Sequence, residues 1–160
     1  MDPAELDETP LPSELPRAYA LRMAEAKHAA VAPRHPGKLV LAADSVVVVG
    51  RRILPKAERE EEARACLALL SGRRHRVLGG IAVGVDGKVR MRLVETVVRF
   101  KRLEASEIDA YIQAGDWRGK AGGYAIQGSA AAFVAFISGS YSNVVGLPLF
   151  ETAQLLKSLR

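Results

Sequence analysis

Three stretches of this 160-residue sequence carry charged side chains where packing alone would not place them. Asp44 interrupts a valine-rich apolar run from Leu39 to Val49. A carboxylate within such a run is costly unless it is hydrogen-bonded, paired or metal-bound. Either the strand ends there and opens into a cleft, or the carboxylate is satisfied structurally. Lys56 follows the turn at Leu54-Pro55. A strand that turned back would return it to the same end of the sheet, whereas composition alone favours a solvated surface lysine. Lys27 lies on a helical stripe with Ala20, Met23, Ala24, Ala30 and Val31. Snorkelling, with the stem packed and the ammonium in water, is one account of it.

A fourth stretch runs from Arg118 to Gly128 and is dense in glycine. Glycine lets a backbone approach a phosphate closely, and basic residues neutralise it. The same composition suits an ordinary loop. The segment Gly115 to Ala121 is one residue too short between glycines for a P-loop, and Ala121 stands where a Mg²⁺-binding hydroxyl belongs. His28, His35, His75 and Cys66 have no metal-ligand spacing.

These residues must be positioned by alternating helices and strands. Residues 1–13 read as an irregular acidic lead-in, broken by Pro3, Pro10 and Pro12. Ser13 is the predicted cap of a helix running to about Ala32, with Pro16 in its first turn. The run from Leu39 to Val49 predicts a strand buried on both faces. A helix is predicted from about Glu58 to Leu70, stopped at Ser71-Gly72. Strands are predicted over 76–85 and 88–100, joined through Asp86-Gly87 as a hairpin. Ser106 is the predicted cap of a short helix. Ala132 to Ile137 predicts another strand, Ser138 to Asn143 a loop, and a final helix runs through Leu156. The implied fold is a single α/β domain with a mixed, twisted sheet, flanking helices and a hairpin.

Bulk properties narrow the class. The single cysteine excludes an internal disulfide. No apolar run is long enough to span a bilayer, and the acidic start carries no secretory pattern, so the cytoplasm is the expected compartment. The net charge of +5 invites nucleic acid as a partner. However, the basic clusters have acidic neighbours and no nucleic-acid-binding module is present, so that partner is not favoured.

The chemistry-bearing stretches, taken in order, resemble the Maf family of nucleoside triphosphate pyrophosphatases. The resemblance rests on Leu6-Asp7-Glu8, on Leu41 through Val47, on Pro55-Lys56, on Leu70-Ser71-Gly72 with His75, on Lys120 through Gly128, on Gly139 through Pro148, and on Glu151-Thr152. It implies hydrolysis of a nucleoside triphosphate to the monophosphate and pyrophosphate with a divalent cation, Mg²⁺ or Mn²⁺. On this resemblance Asp44 is the proton acceptor and lies near the metal, and Glu8 is the acidic residue of the metal–phosphate site. Lys27 and Lys56 face the phosphates. Ser45 and Gln127 govern which base is accepted, and the context Ile126-Gln127-Gly128 resembles the branch acting on dTTP and UTP. A homodimer is implied as well. A non-catalytic nucleotide-binding regulator of septum formation is the alternative.

Three departures accompany the resemblance. Nothing corresponds to the family's leading Ser-x-Ser-x-Arg-Arg strand and loop, which leads us to expect that the natural chain begins further upstream. Ser45 stands for a more usual threonine, and Pro55-Lys56-Ala57 for Gly-Lys-Pro.

Overall fold

The computed structural model describes residues 1–160. Its first helix, α1, spans Pro16–Val31 and buries Tyr19, Ala20, Met23 and Ala24 along one face. Pro16 opens it, as its missing N–H and fixed φ favour. Leu15, not Ser13, is the N-cap. Ser13 sits two residues earlier at φ 58°, in a turn closed by Glu14 N–H donating to the Leu11 carbonyl at 3.1 Å. That turn takes the serine out of capping position.

Strand β1 (Val40–Val49) is followed by the short β2 (Arg52–Leu54) and β3 (Lys56–Ala57), and then by α2 (Glu60–Leu70). Strands β4 (Arg74–Val85) and β5 (Lys88–Phe100) form the long hairpin expected from Asp86-Gly87. Both turn residues have positive φ, 49° and 80°, the geometry a two-residue turn requires. Helix α3 (Ala105–Ala114), β6 (Lys120–Ala121), β7 (Val134–Ser138), α4 (Tyr141–Val145) and α5 (Leu149–Ser158) complete the chain. Two further ends differ from expectation. Glu104 rather than Ser106 caps α3, because Glu107 reaches back to the Glu104 N–H at 3.0 Å. The predicted loop Ser138 to Asn143 gives way at Tyr141 to α4, which Ser140 caps by accepting from the Asn143 N–H at 3.1 Å.

The fold is α/β as expected, with one refinement: the sheet is not mixed. Its order is β2-β1-β4-β5-β7 and every pairing is antiparallel. A separate pair, β3 with β6, is also antiparallel. Helix α1 covers one face, packing on Val46, Val48 and Leu78. It approaches closely because β4 carries Gly80, where a Cβ would lie 2.4 Å from the Ala20 carbonyl oxygen. The opposite face is covered twice. Helices α2 and α3 with Trp117 and Phe133 bury Val47, Val77, Val98 and Phe100 in the main core, and α5 covers Ile81, Val83 and Val94 further along the strands. No helix is long and apolar enough to cross a membrane.

Strand β1 is only half enclosed. Strand β2 pairs with Val47–Val49 alone, so Val40 to Val46 has a strand partner on one side, β4, and none on the other. Leu41 is correspondingly exposed, against the expectation of a strand buried on both faces. Asp44 and Ser45 therefore lie on an open stretch of sheet edge.

Candidate active site

Asp44 points toward α1, sharing its strand face with Val46 and Val48, and is only 7 % exposed. The Lys27 ammonium, reaching down from α1, lies 2.5 Å from Asp44 Oδ1. The same Nζ is 3.0 Å from Glu8 Oε1, and the other Glu8 oxygen accepts from Lys56 Nζ at 2.8 Å. Asp44, Lys27, Glu8 and Lys56 thus form a chain of alternating charge drawn from four separate segments. Of the two accounts of Asp44, the second holds as stated: β1 runs on to Val49 instead of ending there, and the carboxylate is paired beside an open strand edge. Lys27 does not simply snorkel into water; its half-buried ammonium is held against two carboxylates.

Burial pushes the Asp44 carboxyl above its ordinary range, and neighbouring Glu8 adds to this; Lys27 and Lys56 only partly offset it. For Glu8, burial is outweighed by Lys56 and Lys27, so its carboxyl falls below the usual value. Burial also works against the Lys27 ammonium, yet Asp44 and Glu8 together raise it. Two carboxylates thus sit in distinct electrostatic settings, one poised to take a proton and one held ionised.

The chain of charges joins two adjoining cavities that share Asp44, Ser45, Lys56 and Ala121. One, about 380 Å³, is lined by Glu8, Thr9 and Tyr19 on the N-terminal side. The other, about 310 Å³, is lined by Lys27 and Asp44, by the glycine-dense segment from Gly119 to Gln127, and by Val144 and Val145 of α4. Its walls change from charged to apolar along Val47, Val77, Ala125 and Val144, with the exposed Gln127 at its rim. A polar, cationic mouth leading to a small apolar recess with an amide and a hydroxyl suits a phosphorylated ring compound.

The glycine-dense segment closes this cavity as an ordered wall. Gly122 N–H donates to the Pro55 carbonyl at 3.0 Å, and Gly119 N–H to that of Ala57 at 2.8 Å. This pairing fixes Lys56 beside the loop. Tyr111 Oη donates to the Gly123 carbonyl at 3.1 Å. Tyr124 Oη and His75 Nε2 are 2.6 Å apart in the core. Burial pushes His75 down to about 4, so the imidazole is neutral. Gly122 has φ +68°, and a Cβ there would lie 2.8 Å from Val47. Gly122→Ala is expected to cost about 1–3 kcal/mol through strain and clash and to raise KM by displacing the wall; an unchanged unfolding midpoint and KM would count against this role.

The structure brings Asp44, Lys27, Glu8, Lys56, Ser45 and Gln127 to one region. Of the two basic residues that the glycine segment offered for neutralising a phosphate, Lys120 lines the cavity, whereas Arg118 stacks on Trp117, 4.5 Å from the ring centre. Sequence reasoning missed the core anchor between His75 and Tyr124. Its only signal was two polar aromatics at strand and loop positions 49 residues apart.

The Maf-like protein family model matches residues 1–159. The chain is 65 % identical over 157 residues to the dTTP/UTP pyrophosphatase of Paramagnetospirillum magneticum, covering 98 % of this chain and 83 % of that protein. It is 63 % identical over 157 residues to the dTTP/UTP pyrophosphatase of Rhodospirillum rubrum, covering 98 % and 75 %. For the protein of that name from Caulobacter vibrioides the identity is 58 % over 160 residues, covering 99 % and 83 %. With a family match over residues 1–159 and relatives this similar, the chain belongs to the Maf-like family.

Proposed function

We propose that this protein is a nucleoside triphosphate pyrophosphatase acting on dTTP and UTP. The observation that carries the reading is the alternating chain Asp44–Lys27–Glu8–Lys56 at the mouth of an apolar recess. The reaction cleaves an anhydride bond by attack of water, giving the monophosphate and pyrophosphate. Such chemistry needs positioning and charge neutralisation above all.

Each residue has a task that follows from its place. Lys27 and Lys56 exchange their carboxylate partners for phosphate oxygens when the triphosphate enters. Asp44, freed from Lys27 and with a raised pKa, accepts the proton of the attacking water. Ser45 and Gln127, which line the same cavity, hydrogen-bond the base at its polar edge. Val47, Val77 and Val144 hold its ring faces.

Glu8 and Asp44 are the residues that would hold a divalent cation. Both carboxylates already converge on one positive centre, the Lys27 ammonium, at 3.0 and 2.5 Å. Two protein carboxylates, with substrate phosphates and water completing the shell, suit Mg²⁺ or Mn²⁺. Bound there, the ion would offset charge on the departing pyrophosphate.

A homodimer and a cytoplasmic location belong to the same proposal; exposed Tyr141, Leu149 and Phe150 supply apolar surface for a partner copy. The deciding experiment is product analysis with UTP, dTTP, ATP and GTP in the presence of Mg²⁺. Pyrophosphate and monophosphate from the pyrimidine nucleotides are expected. Release of orthophosphate, or no turnover of any of the four by the folded protein, would overturn the reading.

A further inference from the structure

Three lysines line the cavities described above, and two of them are already engaged. Lys27 is held by Asp44 and Glu8, and Lys56 by Glu8. The four charges of that chain cancel. The third lysine, Lys120, makes no ion pair and no side-chain hydrogen bond, and it lines the same cavity as Lys27, Asp44, Lys56 and Gln127. It is therefore the one cation at the mouth with no carboxylate to displace. Its place is fixed by backbone: Lys120 pairs with Ala57 and Ala121 with Lys56, which ties it to the strand that carries the other exposed lysine. Arg118, two residues earlier, is removed from the cavity by its stacking on Trp117.

Resting on the pyrophosphatase reading, we propose that Lys120 is a further substrate-binding residue, the group that first captures the polyphosphate of the incoming nucleotide. An uncompensated charge at the rim of a cleft attracts a polyanion over a Debye length and raises its local concentration. The two inner lysines cannot do this at a distance, because Glu8 and Asp44 neutralise their field. Once the polyphosphate is anchored at Lys120, its oxygens compete at short range with Glu8 for Lys56 and with Asp44 for Lys27. Encounter and seating become separate steps, with Lys120 governing the first.

The test is stopped-flow association of a non-hydrolysable UTP analogue with wild type and Lys120→Gln across an ionic-strength series. The variant is expected to associate several-fold more slowly at low salt, with a shallower salt dependence. In steady state its KM for UTP should rise more than its kcat falls, and Lys120→Arg should restore most of the association rate. A structural role for the side chain would lower the unfolding midpoint and would not flatten the salt dependence. An association rate and salt slope equal to those of wild type would overturn the assignment and leave Lys120 an ordinary surface lysine, with the pyrophosphatase reading intact. Failure of wild type itself to bind the analogue would overturn both.

Discussion

Asp44→Asn is expected to lower kcat for UTP by about 10²–10⁴-fold, the range attributable to a positioned general base, while leaving the ligand-free protein at least as stable as wild type at pH 7. The two halves of this expectation have one cause. The carboxyl is buried, and desolvation outweighs the attraction of Lys27, so its folded pKa lies above the ordinary aspartate value. A raised acid contributes stability that is fully present below its unfolded pKa and is lost as pH rises through its folded pKa. At neutral pH the ionised form is therefore a net cost to folding. Asparagine, resembling the protonated form in shape and charge, removes that cost but cannot accept a proton. Calorimetric or fluorescence melts read the stability, and pyrophosphate release reads the rate. Residual activity above a few per cent of wild type would remove Asp44 from the base role. A clear drop in melting temperature would show the carboxylate to be a structural partner of Lys27 first.

The sequence carried the elements well where period and punctuation agree. The valine run became β1, Asp86-Gly87 became the hairpin turn, and Ser71-Gly72 closed α2. Helix ends were less legible. Ser13 and Ser106 look like caps, yet the local turn at Leu11–Glu14 and the reach of Glu107 to Glu104 decide both ends. Such choices depend on competing hydrogen bonds that a residue type does not reveal. Sheet direction was also beyond reach. Strands separated by a helix suggest parallel pairing, but β1 and β4 run antiparallel across α2. At the site, the anomalous residues were visible singly, a carboxylate in a strand and a lysine on an apolar stripe. Their meeting was not visible from the residues alone, since Glu8, Lys27, Asp44 and Lys56 come from segments that only the tertiary fold brings together. The family resemblance supplied that grouping before the geometry did. Neither distinguished Lys120 from Arg118, because the difference lies in which neighbour each side chain finds.

Lys27→Met has the largest expected effect on the architecture of the site. Methionine keeps most of the stem's packing against α1's neighbours and removes only the ammonium. Asp44 and Glu8 then face one another without the positive centre between them. Removing one partner of a buried pair is more damaging than never having had the pair, since a desolvated charge is left behind. The Lys27 side chain is 19 % exposed and that of Glu8 34 %, so the cost should fall below the fully buried range, at about 2–3 kcal/mol at pH 8. It should also depend on pH. Without Lys27 both carboxyls titrate higher than in wild type, so the folded variant takes up protons earlier as pH falls. The stability gap between variant and wild type should narrow on acidification from pH 8 to pH 5, measured by urea unfolding at each pH. A gap that stays flat would mean that Lys27 contributes through its stem alone. The gap left by the ammonium also offers a second readout. If Glu8 and Asp44 are the cation-holding pair, Mn²⁺ should raise the melting temperature of Lys27→Met more than that of ligand-free wild type, because in wild type the ion must first displace an ammonium bound at 2.5 and 3.0 Å. An equal or smaller shift in the variant would place the cation elsewhere. The larger shift would mean that, in the resting protein, Lys27 occupies the position the metal takes during the reaction, so the triphosphate that draws the lysine away also opens the site for the ion.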